Sequence, residues 1–177
     1  DVRGPIVIWY PRGGALGESI CRCTRIVAGK AEPLRTGSDV AIVALGALVY
    51  PALQAAAQLN SIGIDAAVVN ARFIKPLDEA LLRQLAEQVQ GLVTVEEAQV
   101  SGGFGSAVSE ALDRLGLHHL PVCRIGLPDH FVEHGTRAQL LRLCQLDAEG
   151  LARQISTWWN QLKNPARESR LLTESSA

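Results

Sequence analysis

The sequence contains no methionine, only four cysteines and 5% aromatic residues, and its charges nearly cancel. A net charge of −1 gives no electrostatic reason to expect nucleic acid or an anionic membrane surface as a partner. No apolar run approaches the roughly 18 uninterrupted residues that a membrane-spanning helix needs, and no signal peptide is recognisable. With 47% hydrophobic residues, these features favour a soluble globular protein.

The few cysteines do not have the spacing of a metal site. Cys21 and Cys23 form one C-x-C pair, whereas Cys123 and Cys144 are isolated. Because a structural zinc site normally needs two close pairs, we expect no metal and four reduced thiols. Reduced thiols are typical of a cytoplasmic protein.

The missing methionine also bears on the extent of the chain. The sequence opens at Asp1, close to an apolar run and without a start signal, so we expect a piece of a longer polypeptide. A length of 177 residues is enough for one domain with a buried core and flanking segments.

From Asp39 onwards, strand and helix patterns alternate. The continuously apolar run Val40–Leu45 is typical of a strand covered on both faces, and helical periodicity follows it. Asp78 is a predicted N-cap, and Thr136 with Gln139 matches a capping box. The other predicted strands are Ala66–Val69, Gly91–Val95 and Pro121–Ile125, and the last helix is Ala148–Lys163. The pattern predicts an α/β fold of three layers, with a mostly parallel sheet of about five strands and helices on both faces.

The part of the chain before Asp39 has fewer structural signals. Pro5–Tyr10 is rich in β-formers and predicts a strand, and Thr24–Ala28 predicts a second strand within a polar linker. Arg12 follows the first of these on a loop. Its guanidinium is suited to bind phosphate or carboxylate, although a solvated loop arginine is the simpler alternative.

A strand, two carboxylates and a glycine cluster follow one another between Val93 and Gly105. Glu96 and Glu97 are predicted to emerge at the carboxyl end of the strand, ahead of a helix over Ser106–Leu115. The glycines between them are Gly102, Gly103 and Gly105. The spacing G-G-x-G is not the dinucleotide fingerprint, so both a packing turn and a ligand site remain open.

A long loop over Gly126–Gly135 contains several groups able to act as acid, base or metal ligand. They are Asp129, His130, Glu133 and His134. The order H-F-V-E-H is not the zinc motif H-E-x-x-H, which favours structural hydrogen bonding. Together with the turns after the other strands, this loop lies at the carboxyl edge of the predicted sheet. Such an edge is typical of anion-binding or nucleotide-binding modules.

Five motifs, taken together, resemble one family. They are YPRG (Tyr10–Gly13), NARFIKPLD (Asn70–Asp78), TVEE (Thr94–Glu97), GGFGSAV (Gly102–Val108) and GLPDHFVEHG (Gly126–Gly135). In this order they resemble the C-terminal part of 1-deoxy-D-xylulose-5-phosphate synthases, which are thiamin-diphosphate enzymes of the transketolase superfamily. Pyruvate dehydrogenase β subunits share the E-E and glycine features, but they match the first and last motifs less well.

The resemblance implies a division of the chain. Residues 1–17 would end the preceding pyrimidine-binding domain, 18–36 would be a linker with a short strand, 37–163 a transketolase C-terminal domain, and 164–177 a flexible tail. A free-standing anion-binding module and a purely structural dimerisation domain are the alternatives.

The resemblance also implies an activity for the complete protein. Such enzymes decarboxylate pyruvate on thiamin diphosphate, held with Mg²⁺, and join the two-carbon unit to D-glyceraldehyde 3-phosphate, as homodimers. Arg12 matches the arginine that holds the substrate phosphate. The G-D-G cofactor motif is missing, so we expect no cofactor, metal or catalytic residue here and no activity from this piece alone. Other residues with a possible structural or interface role are Arg72, Asp78, Glu96, Glu97, Gly102, Gly103, Gly105, Asp129 and His134.

Overall fold

A computed structural model describes residues 4–10 and 26–164 of the chain, and the prediction of a mostly parallel α/β sheet is confirmed. The strands are β1 (Glu32–Arg35), β2 (Val40–Ala44), β3 (Ala66–Asn70), β4 (Gly91–Gln99) and β5 (Val122–Leu127). The helices are α1 (Val49–Ser61), α2 (Glu79–Gln88), α3 (Phe104–Arg114), α4 (Arg137–Leu143) and α5 (Ala148–Lys163), with a 3₁₀ turn at Gly46–Leu48. The strand order is β1-β3-β2-β4-β5, and β1 alone in this sheet is antiparallel to its neighbour.

Helices cover both faces of the sheet, so the core divides into two apolar clusters. Side chains of β2 alternate between them: Val40 and Ile42 face α1 and α5, whereas Ala41 and Val43 face α2 and α3. All five residues of β2 are buried, as expected for a parallel strand with helices on each side.

The predicted helix starts follow from side-chain caps. Asp78 accepts a hydrogen bond from Leu81 N at the start of α2, and Thr136 with Gln139 forms the predicted capping box of α4. Asp147 caps α5, whose range matches the predicted one, and Trp159 is the tryptophan that this helix buries. Among the described helices, none combines the length and the apolar character needed to cross a membrane.

The two strands predicted before Asp39 are wrong where they can be compared with the structure. Pro5–Tyr10 is not a strand: it pairs with no strand among the described residues, and Ile6 through Tyr10 are 64–89% exposed. Of the predicted strand Thr24–Ala28, residues 26–28 are not extended in a sheet, and residues 24–25 lie outside the described part. The strand in this region is instead β1, which pairs with β3 as an edge strand that tolerates Pro33.

The predicted end of the third parallel strand is also wrong. β4 does not stop at Val95 but continues to Gln99, so Glu96 and Glu97 are strand residues. The following helix starts at Phe104, two residues before the predicted Ser106. The extension is stabilised by contacts that the carboxylates themselves make.

Candidate functional site

Glu96 lies on β4 and is buried against the first turn of α3. It is only 1% exposed. Its Oε2 accepts a hydrogen bond from Phe104 N at 2.7 Å, and its Oε1 accepts one from Gly105 N at 2.8 Å. The first N–H groups of a helix lack partners within the helix and carry partial positive charge, so an anionic acceptor suits this position. Both carboxylate oxygens thus hold the start of the helix against β4.

The glycines around Glu96 leave room for this arrangement. A Cβ on Gly103 would lie 2.3 Å from Glu96 Oε2, and one on Gly105 would lie 2.5 Å from Thr94 Oγ1. That hydroxyl is buried and has no hydrogen-bond partner among the described residues. Gly102 differs from these two, since it has φ +74 with open space around it and is needed for its backbone conformation.

A bulge between β4 and β5 directs the two carboxylates. Val95 pairs with Ile125 and Gln99 with Leu127, so β4 advances four positions while β5 advances two. Gly126 lies opposite the bulge, where a Cβ would be 2.7 Å from Ala98 O. Bulges re-aim side chains at the ends of strands. Here the bulge accommodates consecutive glutamates that contact different helices.

Glu97 contacts the other layer of helices. Arg137 Nε donates to Glu97 Oε1 at 3.0 Å and Arg137 Nη2 to Glu97 Oε2 at 2.5 Å. The pair is bidentate, and the two side chains remain 32% and 38% exposed. Arg137 is the first residue of α4, so Glu97 holds the end of the preceding loop against β4.

The loop over residues 128–135 is attached at its base and exposed beyond it. Asp129 accepts a hydrogen bond from Gln99 Nε2 at 2.8 Å. His130, Glu133 and His134 are exposed, and Phe131 is fully so. Among the described residues, no group of three His, Cys, Asp or Glu side chains could hold a metal ion. The acid, base and ligand candidates of this loop are therefore not gathered into one site.

Arg72 lies at the carboxyl end of β3 in a left-handed conformation, φ 56, which is uncommon for a residue other than glycine. Its backbone N donates to Asn70 Oδ1 at 3.1 Å, and its Nη2 lies 2.7 Å from Glu32 Oε2. These contacts attach β1 to the end of β3.

Asp78 combines two kinds of contact. Besides capping α2 it accepts hydrogen bonds from Lys30 Nζ and Ala31 N, which precede β1. Burial raises the pKa of Asp78, but the hydrogen bonds from Lys30, Leu81 and Ala31 and the charge of Lys30 outweigh it, so that the pKa lies below its usual value.

The remaining predicted site residue, Arg12, lies outside the described residues, so its role stays a prediction. The cysteines Cys21 and Cys23 also lie there, while Cys123 and Cys144 are free thiols. Burial raises the pKa of the Cys123 thiol to about 11, which makes it a poor nucleophile at neutral pH.

Sequence reasoning missed the partners of these residues. Neither Arg137 nor Glu32 was identified, although one binds Glu97 and the other binds Arg72. The pairs are separated by 40 residues in each case (137 − 97 and 72 − 32), so no local spacing pattern connects them. Gly103 and Gly105 were a usable signal, because they mark where other atoms approach the backbone closely.

Neither Glu96 nor Glu97 offers a free carboxylate for thiamin diphosphate or its metal. The sequence has no G-D-G segment, both oxygens of Glu96 accept backbone hydrogen bonds, and Glu97 is paired with Arg137. No chemical step through such a cofactor is therefore assigned to these residues.

Comparison with known proteins agrees with the fold. The sequence model of the family described as "Transketolase, C-terminal domain" matches residues 29–151. A 1-deoxy-D-xylulose-5-phosphate synthase of Thermomicrobium roseum is 53% identical over 84% of this chain, and one of Gloeobacter violaceus is 51% identical over 86%. The chain covers 24% of each, so it spans about a quarter of the length of the curated relatives it matches.

Solved structures give the same architecture. A protein described as a split gene transketolase, inactive beta4 tetramer, is 38% identical, with a TM-score of 0.70 over 76% of this chain and 43% of that one. The transketolase of Campylobacter jejuni is 18% identical, with a TM-score of 0.53 over 73% of this chain and 18% of that one, and shows the fold alone. The chain belongs to the transketolase C-terminal domain family, and its curated relatives are 1-deoxy-D-xylulose-5-phosphate synthases that it matches over their C-terminal part.

Proposed function

We propose that this chain is the C-terminal part of a 1-deoxy-D-xylulose-5-phosphate synthase. The observation that carries the proposal is its 53% identity, over 84% of the chain, to a synthase of that name. The complete enzyme would be a cytoplasmic homodimer that condenses pyruvate with D-glyceraldehyde 3-phosphate, releases CO₂ and supplies isoprenoid and thiamin synthesis. Thiamin diphosphate and Mg²⁺ would be bound by its other domains.

In this proposal the domain over residues 37–163 is mainly structural and supports the dimer. The contacts of Glu96 and Glu97 favour the structural part of this role, since each carboxylate holds one element of the domain to another. The chain alone would be inactive, and an assay of the isolated chain with pyruvate, glyceraldehyde 3-phosphate, thiamin diphosphate and Mg²⁺ tests this. Product formation by the isolated chain would contradict the division of roles.

Arg12 is the residue that we propose binds the phosphate of glyceraldehyde 3-phosphate. In the complete enzyme, Arg12→Ala should raise the KM for this substrate roughly 30- to 150-fold, because a charge-assisted phosphate contact contributes about 2–3 kcal/mol. The KM for pyruvate should change little, since pyruvate carries no phosphate. Steady-state kinetics with each substrate varied in turn measures both values.

Two variants control this test. Arg12→Lys keeps the charge but loses the bidentate geometry, so its KM should lie between those of the parent and the alanine variant. Arg83→Ala removes an exposed arginine on α2 and should leave both KM values unchanged. Equal effects of Arg12→Ala on the two substrates would contradict the phosphate role.

A further inference from the structure

The segment that leads into β1 lies on the turn that starts α2. Ala31 N donates to Asp78 Oδ2 at 3.2 Å, and Lys30 Nζ donates to Asp78 Oδ1 at 3.1 Å. Gly29, with φ +71, approaches the turn so closely that a Cβ there would lie 2.9 Å from Pro76 Cγ. Residues 29–31 are thus attached by an ion pair, a backbone hydrogen bond and close packing.

Asp78 uses one carboxylate for this segment and for its own helix. Its Oδ1 also accepts from Leu81 N at 3.2 Å. The Asp78 side chain is 9% exposed, whereas Lys30 is 54% exposed. Because the same partly buried carboxylate accepts all three hydrogen bonds, the segment and the helix depend on one acceptor.

Capping alone does not require these distant partners. Asp147 caps α5 through Gly150 N at 3.0 Å, and its ion-pair partner Arg142 is five residues away, with 3.9 Å between the atoms. Lys30 and Ala31, in contrast, are 48 and 47 residues from Asp78. The extra contacts of Asp78 therefore hold the segment before β1 in place, in addition to capping α2.

The attached segment also covers part of the core. Ala31 and Asp78 line one small apolar cavity together with Phe73, Leu77 and Phe104. These side chains border the cluster between the sheet and helices α2 and α3, and Ala31 and Leu77 pack against it. If residues 29–31 moved away, this end of the cluster would open to water, which disfavours the movement.

We propose that Asp78 is a clamp that fixes the point where the chain enters this domain. By holding residues 29–31 against the first turn of α2, it sets the start of β1. The clamp is a positioning device that goes beyond the proposed reaction and does not depend on it.

Hydrogen–deuterium exchange of the present chain, measured by mass spectrometry, tests the clamp. Asp78→Asn keeps an oxygen that can cap Leu81 N, but it loses the charge that holds Lys30 and the second acceptor needed by Ala31 N. We expect exchange over residues 29–35 to become about tenfold faster, with a much smaller change within α2.

Asp147→Asn is the matched control, because it changes a helix cap without a contact to the incoming segment. It should accelerate exchange only in the first turn of α5. Unchanged exchange over residues 29–35 in Asp78→Asn, or an equal acceleration there in Asp147→Asn, would overturn the proposal.

Lys30→Gln provides a test that leaves the cap of α2 intact. We expect exchange over residues 29–35 to become roughly two- to threefold faster, since one of the contacts is lost. If Asp78→Asn does not fold, this variant decides: faster exchange confined to the segment supports the clamp, and unchanged exchange overturns it.

Discussion

Glu96 and Glu97 are neighbours on one strand, yet they hold the fold together in different ways. Glu96 is buried, and its partners are two backbone N–H groups at the start of α3. Glu97 is one-third exposed and meets the guanidinium of Arg137, which water can replace. The comparison teaches that burial and the mobility of the partner, not the type of residue, determine how much a carboxylate stabilises a fold.

Of the changes considered, removing the buried carboxylate of Glu96 should lower the free energy of unfolding the most. Glu96→Ala leaves Phe104 N and Gly105 N without acceptors and opens a cavity beside Gly103. We expect the free energy of unfolding to fall by about 3 kcal/mol or more. Urea denaturation followed by circular dichroism measures the change.

Two further variants sharpen this test. Glu96→Gln keeps one oxygen but turns an amide donor towards a backbone N–H. Its free energy of unfolding should therefore lie between those of the alanine variant and the parent. Glu97→Ala should lower the free energy of unfolding far less than Glu96→Ala does. A loss for Glu97→Ala as large as that for Glu96→Ala would refute the contrast between the two residues.

The glycines around Glu96 should show a smaller effect that depends on position. Gly105→Ala places a Cβ 2.5 Å from Thr94 Oγ1 inside the core, and we expect a loss of about 1–3 kcal/mol from overpacking. This outcome is opposite to the gain that Gly→Ala normally gives within a helix.

Gly102→Ala is the comparison variant for this prediction. The position has space but needs φ +74, so strain alone should cost about 1 kcal/mol. Thermal unfolding of both variants shows which of the two substitutions lowers the stability more. A stabilised Gly105→Ala variant would mean that α3 does not pack on β4 as described.

The smallest effect is expected for the exposed pair. A double-mutant cycle with Glu97→Gln and Arg137→Gln should give a coupling of at most about 1 kcal/mol. The coupling should fall as salt is raised, since the pair is partly solvated. A coupling that salt leaves unchanged would indicate that Glu97, like Glu96, acts as a buried group.

The parallel part of the fold could be predicted because its strands are short apolar runs followed by helical periodicity. Val40–Ala44 shows this pattern, and the cap at Asp78 follows from local chemistry. β1 could not be predicted, since Glu32–Arg35 contains a proline and no β-branched residue, and only its place at the sheet edge makes it a strand. For Pro5–Tyr10 a strand was predicted and none is found, because residues that favour β structure form a strand only beside a neighbouring strand.

The candidate site was harder to predict than the fold. Two consecutive glutamates favour the end of a strand by composition, since charged residues are seldom buried in a sheet. The structure instead continues β4 through them, because α3 provides two N–H donors for Glu96 and α4 provides a guanidinium for Glu97. Such partners become visible only after distant elements have been placed in space.

The packing of α1 against α5 has a consequence for how the domain folds. These helices share one apolar cluster, although Ala148 follows Val49 by 99 residues. During synthesis, β2, α1 and β3 are complete long before the helix that covers them has left the ribosome. Contacts of such long sequence separation slow folding, so the part of α1 that packs against α5 stays uncovered until nearly the whole domain has been made.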